Sequence, residues 1–228
     1  MTHPYPYLNL GSGKVHLPCA KPDHHSIVPD EIYSYPYWLN IDHSTNVGAD
    51  MNFDLFTYPW PLPSDSYDGA LLAHIVEHIP HPIHIISNDL LLPHRANELR
   101  QLPDGFYAFF SELYRVLRHD AVVHVLVPYG LSLGAFQDPT HTRYIVPQTF
   151  SYLTPNPDAP FEMNFGSHFK RDGMGYTVNV EMVKHMLPIS DDMSQDQREK
   201  IIFDNEMALL VTFNAIGDML VSLKVVKE

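Results

Sequence analysis

A single cysteine, Cys19, is all the thiol chemistry in 228 residues, so no internal disulfide can form and nothing points to an oxidising compartment. A cytoplasmic location is expected. Basic side chains are scarce as well: 14 Lys and Arg stand against 27 Asp and Glu, a net charge of −13 with histidine neutral. That deficit argues against a long nucleic acid as partner, because proteins that grip a phosphate backbone carry a Lys/Arg excess. It leaves room for a small nucleotide-containing ligand. No apolar stretch approaches the roughly 18 residues of a membrane span. The opening MTHPYPYLNL lacks the basic segment and apolar run of a signal peptide. What the chain has in excess is proline (20 residues) and histidine (15 residues). Proline at about twice its usual share shortens helices and lengthens loops. The length suits one α/β domain over residues 1–228 with an ample core.

Residues Tyr5 to Leu10 (YPYLNL) read as a buried strand running into Gly11-Ser12-Gly13, a pattern that fits a parallel sheet better than a hairpin. Pro18, Pro22, Pro29 and Pro36 exclude the long helix that usually follows such a loop. Tyr37 to Asp42 reads as a second strand ending on a carboxylate, and Tyr67 to Ala73 as a third, followed by a short helical segment around Ile75 to Ile79. Residues 80–103 are broken by prolines. Asp104 then reads as the N-cap of a helix through Arg118, with Phe106, Phe109, Phe110, Leu113, Val116 and Leu117 at helical spacing. Ala121 to Val127 is the clearest central strand. Met207 to Phe213 and Met219 to Val226 read as two strands closing the sheet as an antiparallel hairpin.

The chemistry sits in an ordered series: a glycine loop after strand one, an acid after strand two, and a further acid-bearing loop. Glycines allow close backbone approach to a ligand, and Asp42 can accept hydrogen bonds from both hydroxyls of a ribose. The interval from Gly13 to Asp42 exceeds the ~20 residues of a dinucleotide fold, and a third glycine is missing, so pyrophosphate binding is poorly supported. A lone strand-end Asp is ordinarily a solvated carboxylate; it is the order of the series that favours a site.

Leu8-Asn9-Leu10-Gly11-Ser12-Gly13, Trp38-Leu39-Asn40-Ile41-Asp42, Asp54-Leu55, Pro61 to Asp68 and His74-Ile75-Val76-Glu77-His78-Ile79 together resemble the opening half of class I S-adenosylmethionine-dependent methyltransferases. Glu112 to Arg118 is similar to that family's helix before strand five. Asp138-Pro139-Thr140-His141-Thr142-Arg143 with Pro147 to Phe150 is similar to a segment of a bacterial and phage branch. The resemblance spans roughly residues 5 to 153. It implies a Rossmann-like α/β fold with a mostly parallel sheet ending in an antiparallel C-terminal hairpin, shortened helices and insertions at about 19–36, 80–103 and 155–200. It further implies methyl transfer from S-adenosylmethionine to an unidentified small-molecule or side-chain acceptor. Asn9, Gly11, Ser12 and Gly13 would line the methionine and ribose part of the cofactor. Asp42, with His43 beside it, would bind the ribose hydroxyls, Asp54 and Leu55 would face adenine, and Ala73 and His74 would lie near the sulfonium.

The chain departs from the family in lacking the long helix after the glycine loop, and in carrying His119-Asp120 where Pro-Gly-Gly is usual. The insertion at 19–36, or a partner subunit in a homo-oligomer, is expected to close the pocket. Candidate bases near the acceptor are His78, His141, Asp138 and Tyr129, with Arg143 as anchor for an anionic substrate; the competing reading makes Asp138-Pro139-Thr140 a turn held by His141 and Arg143. His74-x-x-Glu77-His78 also matches a zinc-peptidase signature, which needs both histidines on one helical face. Pro80 and Pro82 leave too little helix for that, and no metal ligand set is expected. His24, His25, His81 and His84 read as solvated loop residues. A catalytically degenerate module that only binds the cofactor is the other alternative, because fold does not dictate chemistry.

Overall fold

The structure is a computed structural model that describes residues 5–81, 104–154, 169–190 and 192–227. Seven strands form one sheet: β1 (Tyr7–Leu10), β2 (Trp38–Asp42), β3 (Met51–Asn52), β4 (Tyr67–Ala73), β5 (Leu117–Pro128), β6 (Phe169–Val178) and β7 (Ile216–Val225), in the order β3-β2-β1-β4-β5-β7-β6. Every pair from β3 to β5 is parallel, and β7 runs antiparallel to both β5 and β6. Among the described residues the helices are α1 (Gly105–Val116), α2 (Leu133–Gln137), α3 (Val180–Lys184), α4 (Gln195–Asp204) and α5 (Glu206–Leu210).

Register explains how the sheet positions its upper edge. Met51, Ile41, Leu10, Leu72, Val125, Val221 and Met174 pair in one continuous row across all seven strands. The five central members are completely buried. Their position is therefore fixed, because a one-residue slip would turn each of them to the opposite face. One residue beyond the row lie Gly11, Asp42 and Ala73, so core packing brings these three strand ends level.

The face carrying this row is covered by α1, whose Phe106, Phe109, Phe110, Leu113 and Val116 are buried against it. Asp104 caps that helix, accepting from the Phe106 amide at 2.8 Å. The opposite face is covered by a thinner layer. Prolines 18, 22, 29 and 36 hold the chain after β1 to two 3-10 turns, Asp23–His25 and Asp30–Ser34. From this segment Leu17, Val28, Ile32 and Tyr33 pack on Trp38, Leu71, Leu126 and Leu220. Asn40 stitches the segment down: its Nδ2 donates to the Leu17 carbonyl at 3.0 Å and its Oδ1 accepts from the Leu17 amide at 2.7 Å. His25, expected to be solvated, is 3 % exposed and bonds the Tyr33 hydroxyl at 2.6 Å.

The C-terminal expectation is corrected in detail. The antiparallel end of the sheet exists, but its outer strand is β6, drawn from the segment read as an insertion, and much of 207–213 is helical in α5. The run from Met207 to Val211 is apolar throughout, and over so short a length an apolar run shows neither the strand period nor the helical one. β6 is an edge strand bearing Lys170, Arg171, Asp172, Gly173 and Gly175, a composition that blunts an edge and reads as loop. The expected insertion at 80–103 lies outside the described residues except for Pro80 and His81.

Candidate functional site

In this strand order the chain leaves β1 toward β2 on one side and returns to β4 on the other, and the crevice above such a switch point is where open α/β sheets bind ligands. Gly11 opens it. Its φ is +67°, and a Cβ there would sit 2.0 Å from Ile75 Cδ1, so both conformation and space require glycine. The loop then folds over the end of β2: the Ser12 amide donates to the Ile41 carbonyl and the Gly13 amide to Asp42 Oδ2, each at 2.9 Å. Asp42 Oδ1 accepts from the Ser44 amide at 2.8 Å. Each carboxylate oxygen keeps a further lone pair for an incoming hydroxyl. Ser12 Oγ is buried beside this loop and finds no hydrogen-bond partner among the described residues.

A cleft of about 370 Å³ occupies the crevice, within the range of small-molecule sites. Gly11, Asp42 and His43 form one end, and the turn Asp54, Leu55 and Phe56 forms a side wall. Ile75 lies against Gly11, and His74, His78 and Thr140 complete the lining. The side-wall turn is internally held, because Asp54 accepts from the Phe56 amide at 2.9 Å and from Thr57 Oγ1 at 3.0 Å. Leu55 is anchored beneath it, its carbonyl taking the Trp60 indole N–H at 2.9 Å.

The rest of the lining is built from two loops tied together. His74, directly after β4, is left-handed (φ +57°), a costly conformation that surrounding structure must enforce. Its amide donates to the Leu126 carbonyl at 2.8 Å, and its Nδ1 lies 3.3 Å from Glu77 Oε1. Burial opposes protonation of His74, but the Glu77 carboxylate and the charge of Asp218 outweigh it and raise its pKa. Val76–His78 is one 3-10 turn, so the zinc-peptidase geometry of two histidines on an α-helical face is absent here. The Glu77 carbonyl accepts from the Thr142 and Arg143 amides of the loop after β5. In that loop Asp138 accepts from Thr140 Oγ1 at 2.7 Å, and Thr140 Oγ1 lies 3.1 Å from His78 Nδ1. The rings of His78 and His141 meet edge to face, 4.7 Å between centroids.

Six of the ten expected cofactor residues line the cleft: Gly11, Asp42, His43, Asp54, Leu55 and His74. Ser12 and Gly13 shape it from behind through their backbone. Asn9 does not face it; its amide is spent in the interior on the Val15 carbonyl and Asn40 Oδ1. Ala73 packs instead against the layer that covers the opposite face of the sheet. Of the expected catalytic residues only His78 lines the cleft, with Asp138 and His141 directly behind it. Tyr129 is buried, its hydroxyl donating to the Leu210 carbonyl at 2.6 Å, and burial raises its pKa. Arg143 does not line the cleft either: it holds the carbonyl of Ile79 and both oxygens of Asp104, with its guanidinium over the Phe106 ring. Phe56, Ile75 and Thr140 were not expected as lining. Each adjoins an expected residue, but their orientation depends on turns that no residue type announces.

The strand order, the antiparallel β7 and the crevice together define the fold of class I S-adenosylmethionine-dependent methyltransferases. A solved structure with this fold is a SAM-dependent methyltransferase from Archaeoglobus fulgidus, which superposes with a TM-score of 0.55 at 16 % identity, covering 96 % of this chain and 85 % of that one. A second, from Mesorhizobium loti, gives 0.47 at 12 % identity, covering 96 % and 89 %. No family model matches the chain, and no curated protein matches its sequence.

Proposed function

We infer that the chain is an S-adenosylmethionine-dependent methyltransferase, a single cytoplasmic domain acting on a small molecule or an exposed side chain. The observation that supports this most is the convergence of Gly11 and Asp42 at the switch-point cleft, with the Asp42 carboxylate poised over the loop that a ribose would face. The residues fit the cofactor. The Gly11–Gly13 loop offers backbone and the unpartnered Ser12 hydroxyl to the methionine part. Asp42 offers its remaining lone pairs to the ribose, and Leu55 and Phe56 give adenine an apolar wall. When bound, S-adenosylmethionine supplies a methyl group already activated on a positively charged sulfur. The protein then has chiefly to orient the acceptor and shed water. His78 stands at the acceptor end; with Nδ1 turned to Thr140, its Nε2 is free to take a proton from an acceptor hydroxyl or amine.

Calorimetry with S-adenosylmethionine and its demethylated product tests this reading. Wild type is expected to bind both in the micromolar range, and Asp42→Asn to weaken both at least tenfold, with a thermal melt confirming that the variant folds. Absence of binding by wild type overturns the assignment. Binding without turnover on any hydroxyl, amine or carboxylate acceptor would favour a cofactor-binding module without catalysis.

A further inference from the structure

We propose that Glu77, His78 and His141 form a site for a first-row divalent cation at the acceptor end of the cleft. One ligand atom from each of the three lies within 4.8 Å of the others. Two imidazoles and one carboxylate are a donor set that such ions favour, and three protein ligands leave a coordination position open for a small molecule. Tetrahedral zinc with bonds of about 2.0–2.1 Å sets neighbouring donors roughly 3.3 Å apart, so closure by up to about 1.5 Å completes the site.

The second, independent observation is Glu77 itself. It is 1 % exposed, and neither carboxylate oxygen has a hydrogen-bond partner among the described residues. Its neighbour His74 lies 3.3 Å from one oxygen without hydrogen-bond geometry. A buried carboxylate left so bare is costly. Asp218, a second half-buried carboxylate on β7, has its pKa raised by burial and by the nearby Glu77. A divalent cation would offset both.

The surroundings of the two histidines also suit metal. His141 turns Nδ1 to the Ala135 carbonyl at 3.0 Å, which as an N–H donor leaves the Nε2 lone pair, 3.8 Å from Asp138 Oδ2, for an ion. His78 turns Nδ1 to Thr140 Oγ1, whose own proton goes to Asp138. This carboxylate–hydroxyl–imidazole chain orients the ring and leaves its Nε2 for the ion, whose binding replaces the role of that nitrogen as a base. His78 borders the cleft, so the open coordination position faces the same space as the acceptor. An acceptor oxygen, as a hydroxyl or carboxylate, is the chemistry that position would take.

The site stands whether or not the cleft binds S-adenosylmethionine, and the test keeps the two apart. The full chain is stripped with chelator and titrated with Co²⁺, Zn²⁺ and Mn²⁺, following heat and, for Co²⁺, visible absorption. One equivalent is expected, with Glu77→Gln and His78→Ala each weakening binding at least tenfold. Thr140→Val, an exposed change that leaves the core alone, is expected to weaken it roughly tenfold through His78. His119→Ala, a surface control, should change nothing. Thermal melts report whether Glu77→Gln folds. Failure of wild type to bind overturns the site. So does binding that survives Glu77→Gln and His78→Ala combined, which would place the ion on surface histidines. Metal binding without cofactor binding would sink only the methyltransferase reading.

Discussion

His25 shows how far a single side chain can depart from its sequence appearance. In a proline-punctuated segment beside His24 it reads as solvated, yet the fold buries it against the Tyr33 hydroxyl. Burial, then the nearby His24, His74 and Lys21, lower its pKa to about 4 from an ordinary value of 6.5. The folded state thus resists a proton that the unfolded state accepts. The stability from keeping His25 neutral is complete above about pH 6.5 and is lost as pH falls toward 4. Between pH 7 and pH 5 this costs about 1–2 kcal/mol. Urea unfolding of wild type and His25→Gln at both pH values checks it, since the variant should lack this part of the pH dependence. An equal loss in both proteins would show that His25 takes no part. At the same scale, the meeting of Gly11, Asp42 and Asp54 at one cleft was legible because strand-end glycines and acids have few other uses in series. Asn9 was not legible as structural, and Arg143, read either as a substrate anchor or as holding a turn, did not announce its partners. An amide or guanidinium shows its partners only once strands 31 residues apart, or a loop and a helix cap, are brought together.

Elements were readable where local and tertiary preferences agree. α1 announces itself by the Asp104 cap and by apolar residues at helical spacing, and β5 by a valine-rich run. β6 and α5 fail on that criterion, one a strand with loop composition and the other a helical turn in an apolar run too short to show its period. The start of α1 carries a prediction. Asp104 caps Phe106 and also takes Arg143 Nη2 at 2.9 and 3.0 Å, and Arg143 in turn holds the Ile79 carbonyl. Asp104→Ala removes the cap, worth about 1 kcal/mol, and leaves a mostly buried guanidinium without its anion. A loss of about 2 kcal/mol in chemical denaturation is expected, with Asp104→Asn, which keeps the cap, recovering roughly half. Full recovery by asparagine would show that the ion pair contributes nothing.

At the scale of the whole molecule, the ordered series of strand ends was legible because switch-point topology leaves little choice about where those ends meet. The junction of His78, Thr140 and His141 was not, since it depends on how the loop after β5 folds back onto the turn after β4. The sheet order also has a consequence for how the chain reaches its native state. β5 pairs on its outer side only with β7, and His124 meets Ser222 across 98 residues of sequence. β6, made earlier, cannot fill the gap, because its partner is β7 as well. During synthesis, therefore, the outer edge of the apolar run from Ala121 to Val127 stays open until residues 216–225 have been made. Pairings over such separations are slow, and an open edge invites other chains. A chain ended before Ile216 is expected to aggregate rather than populate a soluble intermediate, and light scattering beside full-length protein would show it; a monomeric, folded truncation would refute that dependence. β7 is thus the latch that shields the apolar run of β5 from neighbouring chains.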